Sequence, residues 1–128
     1  MGILIDTSVI IDYLRRKDKL NSWFYQLSLK GDDLAISIIT HAELYSGKSI
    51  YESSKNKKIL DNIVSKLEVI TLDLATSALG GQLRSKTNRD LFDCLIAATA
   101  IKNECRLATL NTKHFVDIKG LKIIKTSA

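Results

Sequence analysis

The feature that most constrains this chain is a set of short aliphatic segments separated by long stretches of helical periodicity. Ile3-Leu4-Ile5, Leu34-Ala35-Ile36, Leu67-Glu68-Val69-Ile70, Arg106-Leu107-Ala108-Thr109 and Leu121-Lys122-Ile123-Ile124 each have the length and character of a buried strand. The intervening residues predict helices from Val9 to about Arg15, through Leu20, Trp23, Phe24 and Leu27 to Lys30, and from a Ser37 cap at Ile38 towards Lys48. Further helices are predicted over 52–66, from an Asp73 cap to about Lys86 with a weak point or bend at Gly80-Gly81, and from Asn88 or Asp90 to about Asn103. Asn111 to Phe115 reads as a short turn. Strands joined by helical stretches of this length need crossover connections, which make the strands parallel and put helices on both faces. The expected fold is therefore an α/β, three-layer α/β/α domain with a central parallel sheet. Without proline or a glycine-rich linker, residues 1–128 read as a single domain.

Composition removes several function classes. At 128 residues and 45% hydrophobic, the chain can bury a core without metal or disulfide staples. Its apolar runs are far shorter than the ~20 residues of a membrane span, so no membrane partner is expected. Met1-Gly2-Ile3-Leu4-Ile5-Asp6 has no basic lead and reaches a carboxylate too soon for a secretory signal. Cys94 and Cys105 lack CxxC spacing and read as reduced, buried thiols of a cytoplasmic protein. A net charge of +5 suits an anionic partner. The basic residues cluster as Arg15-Arg16-Lys17 with Lys19, as Lys55, Lys57 and Lys58, and as Arg84, Lys86 and Arg89. Trp23, Phe24, Tyr45 and Tyr51 read as core or as a surface for a partner.

Ligands of open parallel sheets bind beyond the carboxyl ends of the strands, which singles out Asp6 and Asn111. Glu43 and Asp93 stand out because they interrupt apolar helices, each on a face of small residues: Ser46 and Gly47 for Glu43, Ala97 and Ala100 for Asp93. Taken singly, Asp6 and Asp93 could be helix caps or first-turn acids, and Glu43 could point to solvent. Brought together, two carboxylates ~5 Å apart would repel by roughly 3 kcal/mol at an effective dielectric of ~20. A hard divalent cation such as Mg²⁺ or Mn²⁺ removes that repulsion and leaves coordination positions for water and phosphate. Asp12 and Asp90 are the nearest spare acids, Asp90 reading mainly as a cap. His41 and His114 read as structural or exposed.

These segments resemble a known family. Ile3-Leu4-Ile5-Asp6-Thr7-Ser8-Val9-Ile10-Ile11-Asp12 is similar to the opening of PIN domains, an acidic Mg²⁺-dependent ribonuclease fold. Ser37-Ile38-Ile39-Thr40-His41-Ala42-Glu43-Leu44 and Asp93-Cys94-Leu95-Ile96-Ala97-Ala98-Thr99-Ala100 resemble its second and third motifs. Leu107 to Phe115, followed by Ile118-Lys119-Gly120-Leu121, resembles its closing segment, and length and motif style are most similar to VapC toxins of type II toxin-antitoxin systems.

The resemblance implies a metal site of Asp6, Glu43 and Asp93, with Asn111 at a fourth position that is often Asp. Thr7 or Ser8, and Thr109, would orient the carboxylates. It also implies metal-assisted hydrolysis of RNA phosphodiesters, with Glu43 or Asp6 positioning the attacking water. The implied partners are RNA, a cognate antitoxin and a second copy of the chain in a homodimer. The alternatives are a PIN-fold RNA-processing nuclease without an antitoxin, and a catalytically weak nucleic-acid-binding module, which Asn111 alone favours. A phosphoaspartyl phosphatase or receiver domain around Asp6 would want an acid where Ser8 stands.

Overall fold

A computed structural model describes residues 2–125. Five strands, β1 (Ile3–Ile5), β2 (Leu34–Ser37), β3 (Glu68–Ile70), β4 (Arg106–Ala108) and β5 (Ile123–Ile124), form one sheet. All pairings are parallel, in the order β3-β2-β1-β4-β5. The helices are α1 (Thr7–Arg15), α2 (Trp23–Ser28), α3 (Ile38–Tyr45), α4 (Ser54–Ser65), α5 (Leu74–Thr87) and α6 (Leu91–Lys102).

The period-2 alternation of β1 divides the core. Ile3 and Ile5 join Val9, Ile10, Phe24, Leu27, Leu60 and Ile63 of α1, α2 and α4 on one face. Leu4 joins Leu83, Cys94, Ile96, Ala97 and Leu107 on the other, under α5 and α6. This is the three-layer α/β/α arrangement expected from the strand spacing. No helix of the described residues is long and apolar enough to cross a membrane. Cys94 is buried and Cys105 only partly so, and neither forms a disulfide.

Several boundaries differ from the sequence reading, each for a local reason. The expected helix from Leu20 to Lys30 is interrupted by Ser22, whose hydroxyl caps α2 by accepting from Tyr25 N, so Leu20 falls in a 3-10 turn and is 62% exposed. The helix expected to reach Lys48 ends at Tyr45, and Lys48–Tyr51 form a separate 3-10 turn. Tyr51 is correspondingly exposed. Helix α1 begins at Thr7, two residues before the expected start.

Gly80-Gly81 neither ends nor divides α5, which is continuous from Leu74 to Thr87. A Cβ on Gly80 would lie 2.5 Å from Leu95 Cδ2 and 3.2 Å from Leu95 Cα. The glycine therefore lets α5 and α6 approach closely. Asn88, left-handed at φ 57°, closes α5, and Asp90 caps α6.

Candidate active site

The strand order reverses beside β1: β2 and β3 lie on one side of it, β4 and β5 on the other. The crevice between the carboxyl ends of β1 and β4 is the switch point where open α/β sheets bind ligands. Asp6 sits there, its N–H bonded to the Ala108 carbonyl at 2.9 Å. It occupies the N-cap position of α1, yet its side chain makes no capping hydrogen bond, which removes the cap reading. Instead Oδ2 accepts from Ser8 Oγ at 2.8 Å and from Thr109 Oγ1 at 2.7 Å. With the residue only 4% exposed, those two hydroxyls fix the carboxylate rotamer. They are fixed in turn: Ser8 Oγ accepts from Leu110 N and Thr109 Oγ1 from Asn111 N.

Glu43 reaches the crevice from α3. It is half-buried, and its Oε1 accepts from Thr7 Oγ1 at 2.7 Å, so it does not point freely to solvent. The Thr7 and Thr40 hydroxyls lie 3.0 Å apart, tying α3 to the start of α1. Asp93 comes from the first turn of α6, where the Asp90 side chain accepts from its N–H. Burial pushes the Asp93 carboxyl above the ordinary carboxylate range, and the negative charges of Asp90, Asp6 and Glu43 push the same way while His114 opposes them. Asp93 is thus close enough to the other three acids to feel each of them. The charges of Asp90, Asp6 and Glu43 all reach Asp93, yet among the described residues no three His, Cys, Asp or Glu side chains form a group that could hold a metal ion; Asp12 is paired with Arg16 at 2.9 Å.

Asn111 follows β4 and is exposed; its side chain makes no hydrogen bond among the described residues. His114, expected to be structural or merely exposed, is at the site instead, with Nδ1 3.2 Å from Asp93 Oδ2. Thr112–His114 is a 3-10 turn, in which residues three apart eclipse, so His114 falls on the side of Asn111. Arg89 is also reassigned. Its guanidinium donates to the Lys113 carbonyl at 3.0 Å and to the Val116 carbonyl, holding that turn against the start of α6. It is therefore not free to grip a phosphate. His41 stacks on Tyr45 at 4.8 Å, on the helix that carries Glu43.

Beside Glu43, a groove of about 150 Å³ opens between α1, α3 and α4. Ile11, Leu14, Leu44, Ile50 and Ile59 line it, with Arg15 also at its wall. Tyr45 braces α3 against α4 by donating to Asp61 Oδ1 at 2.6 Å.

The family profile described as PIN domain matches residues 3–121. The chain belongs to the PIN domain family. Among curated relatives it is 33% identical over 121 residues to Ribonuclease VapC10 of Mycobacterium tuberculosis, covering 94% of this chain and 90% of that protein. It is 35% identical over 128 residues to Ribonuclease VapC1 of Methanocaldococcus jannaschii, covering 94% and 85%. Among solved structures, VapBC2 from Rickettsia felis bound to a promoter DNA fragment superposes with a TM-score of 0.81 at 26% identity, covering 98% of this chain and 99% of that one. In this PIN domain the family profile therefore spans all four segments that carry Asp6, Glu43, Asp93 and Asn111.

Proposed function

We propose that this PIN domain is a Mg²⁺-dependent endoribonuclease that hydrolyses RNA phosphodiester bonds, the toxin of a type II toxin-antitoxin pair. One observation carries the reading: Asp6, a buried N-cap residue, makes no capping bond, and its carboxylate is instead held by Ser8 and Thr109 beside a crevice where burial, aided by the neighbouring acids, raises the Asp93 carboxyl above its ordinary range. The VapC names of its relatives support it.

The donor set fits a hard divalent ion. Every charged ligand candidate is a carboxylate, and no hydrogen bond of the described residues reaches Asp6 Oδ1. Among the described residues no three His, Cys, Asp or Glu side chains form a ready-made cage. Mg²⁺ keeps several waters and takes one or two carboxylates together with substrate phosphates. Asp6, Glu43 and Asp93 would hold the ion, which supplies charge neutralisation at the phosphate and a more acidic water. Ser8 and Thr109 orient Asp6, and Thr7 orients Glu43. Glu43 or Asp6 positions the attacking water and accepts its proton, and Asn111 offers a neutral polar group at the fourth position. The net charge of +5 draws the polyanion in.

We assign the same reading to the whole chain, 1–128, acting as a cytoplasmic homodimer. The apolar groove beside Glu43 is where a segment of the antitoxin would cover the site. The test incubates purified protein with labelled single-stranded RNA and DNA, with and without Mg²⁺ or Mn²⁺, beside Asp6→Asn and Asp93→Asn. RNA cleavage that needs metal and both carboxylates is expected; metal-independent cleavage, or equal cleavage by the variants, refutes the site. For the toxin role, a small upstream reading frame encoding a DNA-binding partner should suppress cleavage when co-expressed.

A further inference from the structure

We infer that Arg15 holds the RNA strand at this site, its guanidinium gripping a backbone phosphate that flanks the scissile one, in the groove that also contains Glu43. The inference rests on the nuclease reading above and adds the residue by which the strand is held. A net charge of +5 draws a polyanion to the surface without fixing where it lies, so positioning needs a cation set at a definite distance from the carboxylates.

The basic clusters are largely committed within the fold. Arg16 pairs with Asp12 at 2.9 Å, and Lys57 with Asp61 at 2.9 Å. Lys19 donates to the carbonyls of Tyr13, Leu14 and Arg16 at 2.7, 3.0 and 3.1 Å, closing the end of α1. Arg84 donates to Asn88 Oδ1, and Arg89 to the carbonyls of Lys113 and Val116. Arg15 is exposed and has no hydrogen-bond or ion-pair partner among the described residues.

Helix α1 also aims Arg15 at the site. Thr7, Ile11 and Arg15 follow at intervals of four, so they share a face. Thr7 donates to Glu43 at one end of that row, and Ile11 and Arg15 line the groove further along it. Helical side chains lean towards the helix N-terminus, so the long side chain at position 15 leans back along the groove towards Glu43. Arg15 is the cation of the groove lining and Glu43 its anion, yet the two do not pair among the described residues. The step from Thr7 to Arg15 rises about 12 Å along the helix axis, which suits a neighbouring phosphate rather than the one under attack at the carboxylates. The planar fork of the guanidinium can take two oxygens of that phosphate at once. An antitoxin segment in the groove would cover Arg15 together with Glu43 and so compete with the strand.

The experiment first maps a cut in a pool of single-stranded RNA with Mg²⁺ and makes a short labelled RNA spanning it. Binding is measured by fluorescence anisotropy in EDTA across a salt series, and kcat and KM with Mg²⁺, for wild type, Arg15→Gln, Arg15→Lys and Lys17→Gln, with melting curves to confirm folding. Lys17→Gln removes the same charge two residues on, outside the groove lining. Arg15→Gln should weaken binding roughly ten-fold, the size expected of one charge-assisted hydrogen bond, and raise KM by a similar factor with little change in kcat. It should also flatten the slope of log affinity against log salt by about 0.7, one single-strand phosphate contact. Arg15→Lys should keep the slope and recover part of the affinity, and Lys17→Gln should stay close to wild type. A methylphosphonate, which removes the charge of one phosphate, is then placed at each position beside the cut. At one of them wild type should lose about the same factor and Arg15→Gln nothing further. If Arg15→Gln keeps wild-type affinity and salt slope, if Lys17→Gln costs as much, or if every methylphosphonate penalty persists in Arg15→Gln, the inference is overturned while the nuclease reading stands. Wild-type protein that cuts no RNA refutes the nuclease reading, and this inference with it.

Discussion

At Asp93, burial and three neighbouring carboxylates all oppose ionisation, and only His114 favours it. The sign for stability is opposite to that of a salt-bridged acid. A carboxyl whose folded pKa is raised costs stability above that pKa, and the cost fades as the pH falls towards its unfolded value. Asp93→Asn should therefore melt higher than wild type at neutral pH without metal, and the gap should close on acidification. The same variant should lose RNA cleavage, so the residue trades stability for activity. Thr109→Val is isosteric but removes the donor to Asp6 and the acceptor for Asn111 N. It should destabilise by about 1–3 kcal/mol in denaturant titrations and weaken Mg²⁺ affinity roughly 10–100-fold by calorimetry.

Helices α5 and α6 offer a sharper test of packing, because two adjacent glycines there face different surroundings. A Cβ at Gly80 meets Leu95 at 2.5 Å, whereas at Gly81 nothing lies within 4 Å. Gly81→Ala should stabilise by up to ~1 kcal/mol through helix propensity. Gly80→Ala gains the same propensity but overpacks the contact, for a net loss of about 1–2 kcal/mol. Thermal melts of the two variants should thus move in opposite directions. At the start of α5, the Thr76 N–H and hydroxyl hold the Asp73 carboxyl below the ordinary range. That contribution is present above the unfolded value and is lost as pH falls through the lowered folded one. Asp73→Asn keeps a capping oxygen, so it should flatten the acid limb of the stability profile while leaving neutral stability nearly unchanged.

The glycine pair also shows where sequence reading stops. Helix propensity marks both positions as weak, but only the neighbour across the interface decides that Gly80 is a contact and Gly81 a bare surface. Strand spacing and aliphatic runs were enough for the parallel three-layer fold, because periodicity and crossover length are local properties. Asp6 and Asp93 could be picked out as acids in apolar segments for the same reason. His114 and Arg89 could not, since a turn histidine and an arginine in a basic cluster acquire their partners only through the docking of 112–116 on α6. Leu20 was misplaced because Ser22, a polar position inside an apolar pattern, caps a new helix instead of continuing the old one.

For the whole molecule, the proposed metal site couples ion binding to folding. An ion that binds only the native state at about 100 times its dissociation constant adds about 2.7 kcal/mol. Mg²⁺ should raise the melting temperature of wild type by several degrees and EDTA should reverse it, whereas Asp6→Asn should respond to neither. The Asp6–Thr109 hydrogen bond joins residues 103 positions apart. β1 pairs on one flank with residues 34–35 and on the other with 106–108. The crevice is thus a late product of biosynthesis: a ribosome must deliver nearly the entire chain before the first acid meets the hydroxyl that aims it. Nonsense mutations at codons 94–105 would therefore leave fragments that contain Asp6, Glu43 and Asp93 but lack β4, the strand that closes the crevice beside Asp6.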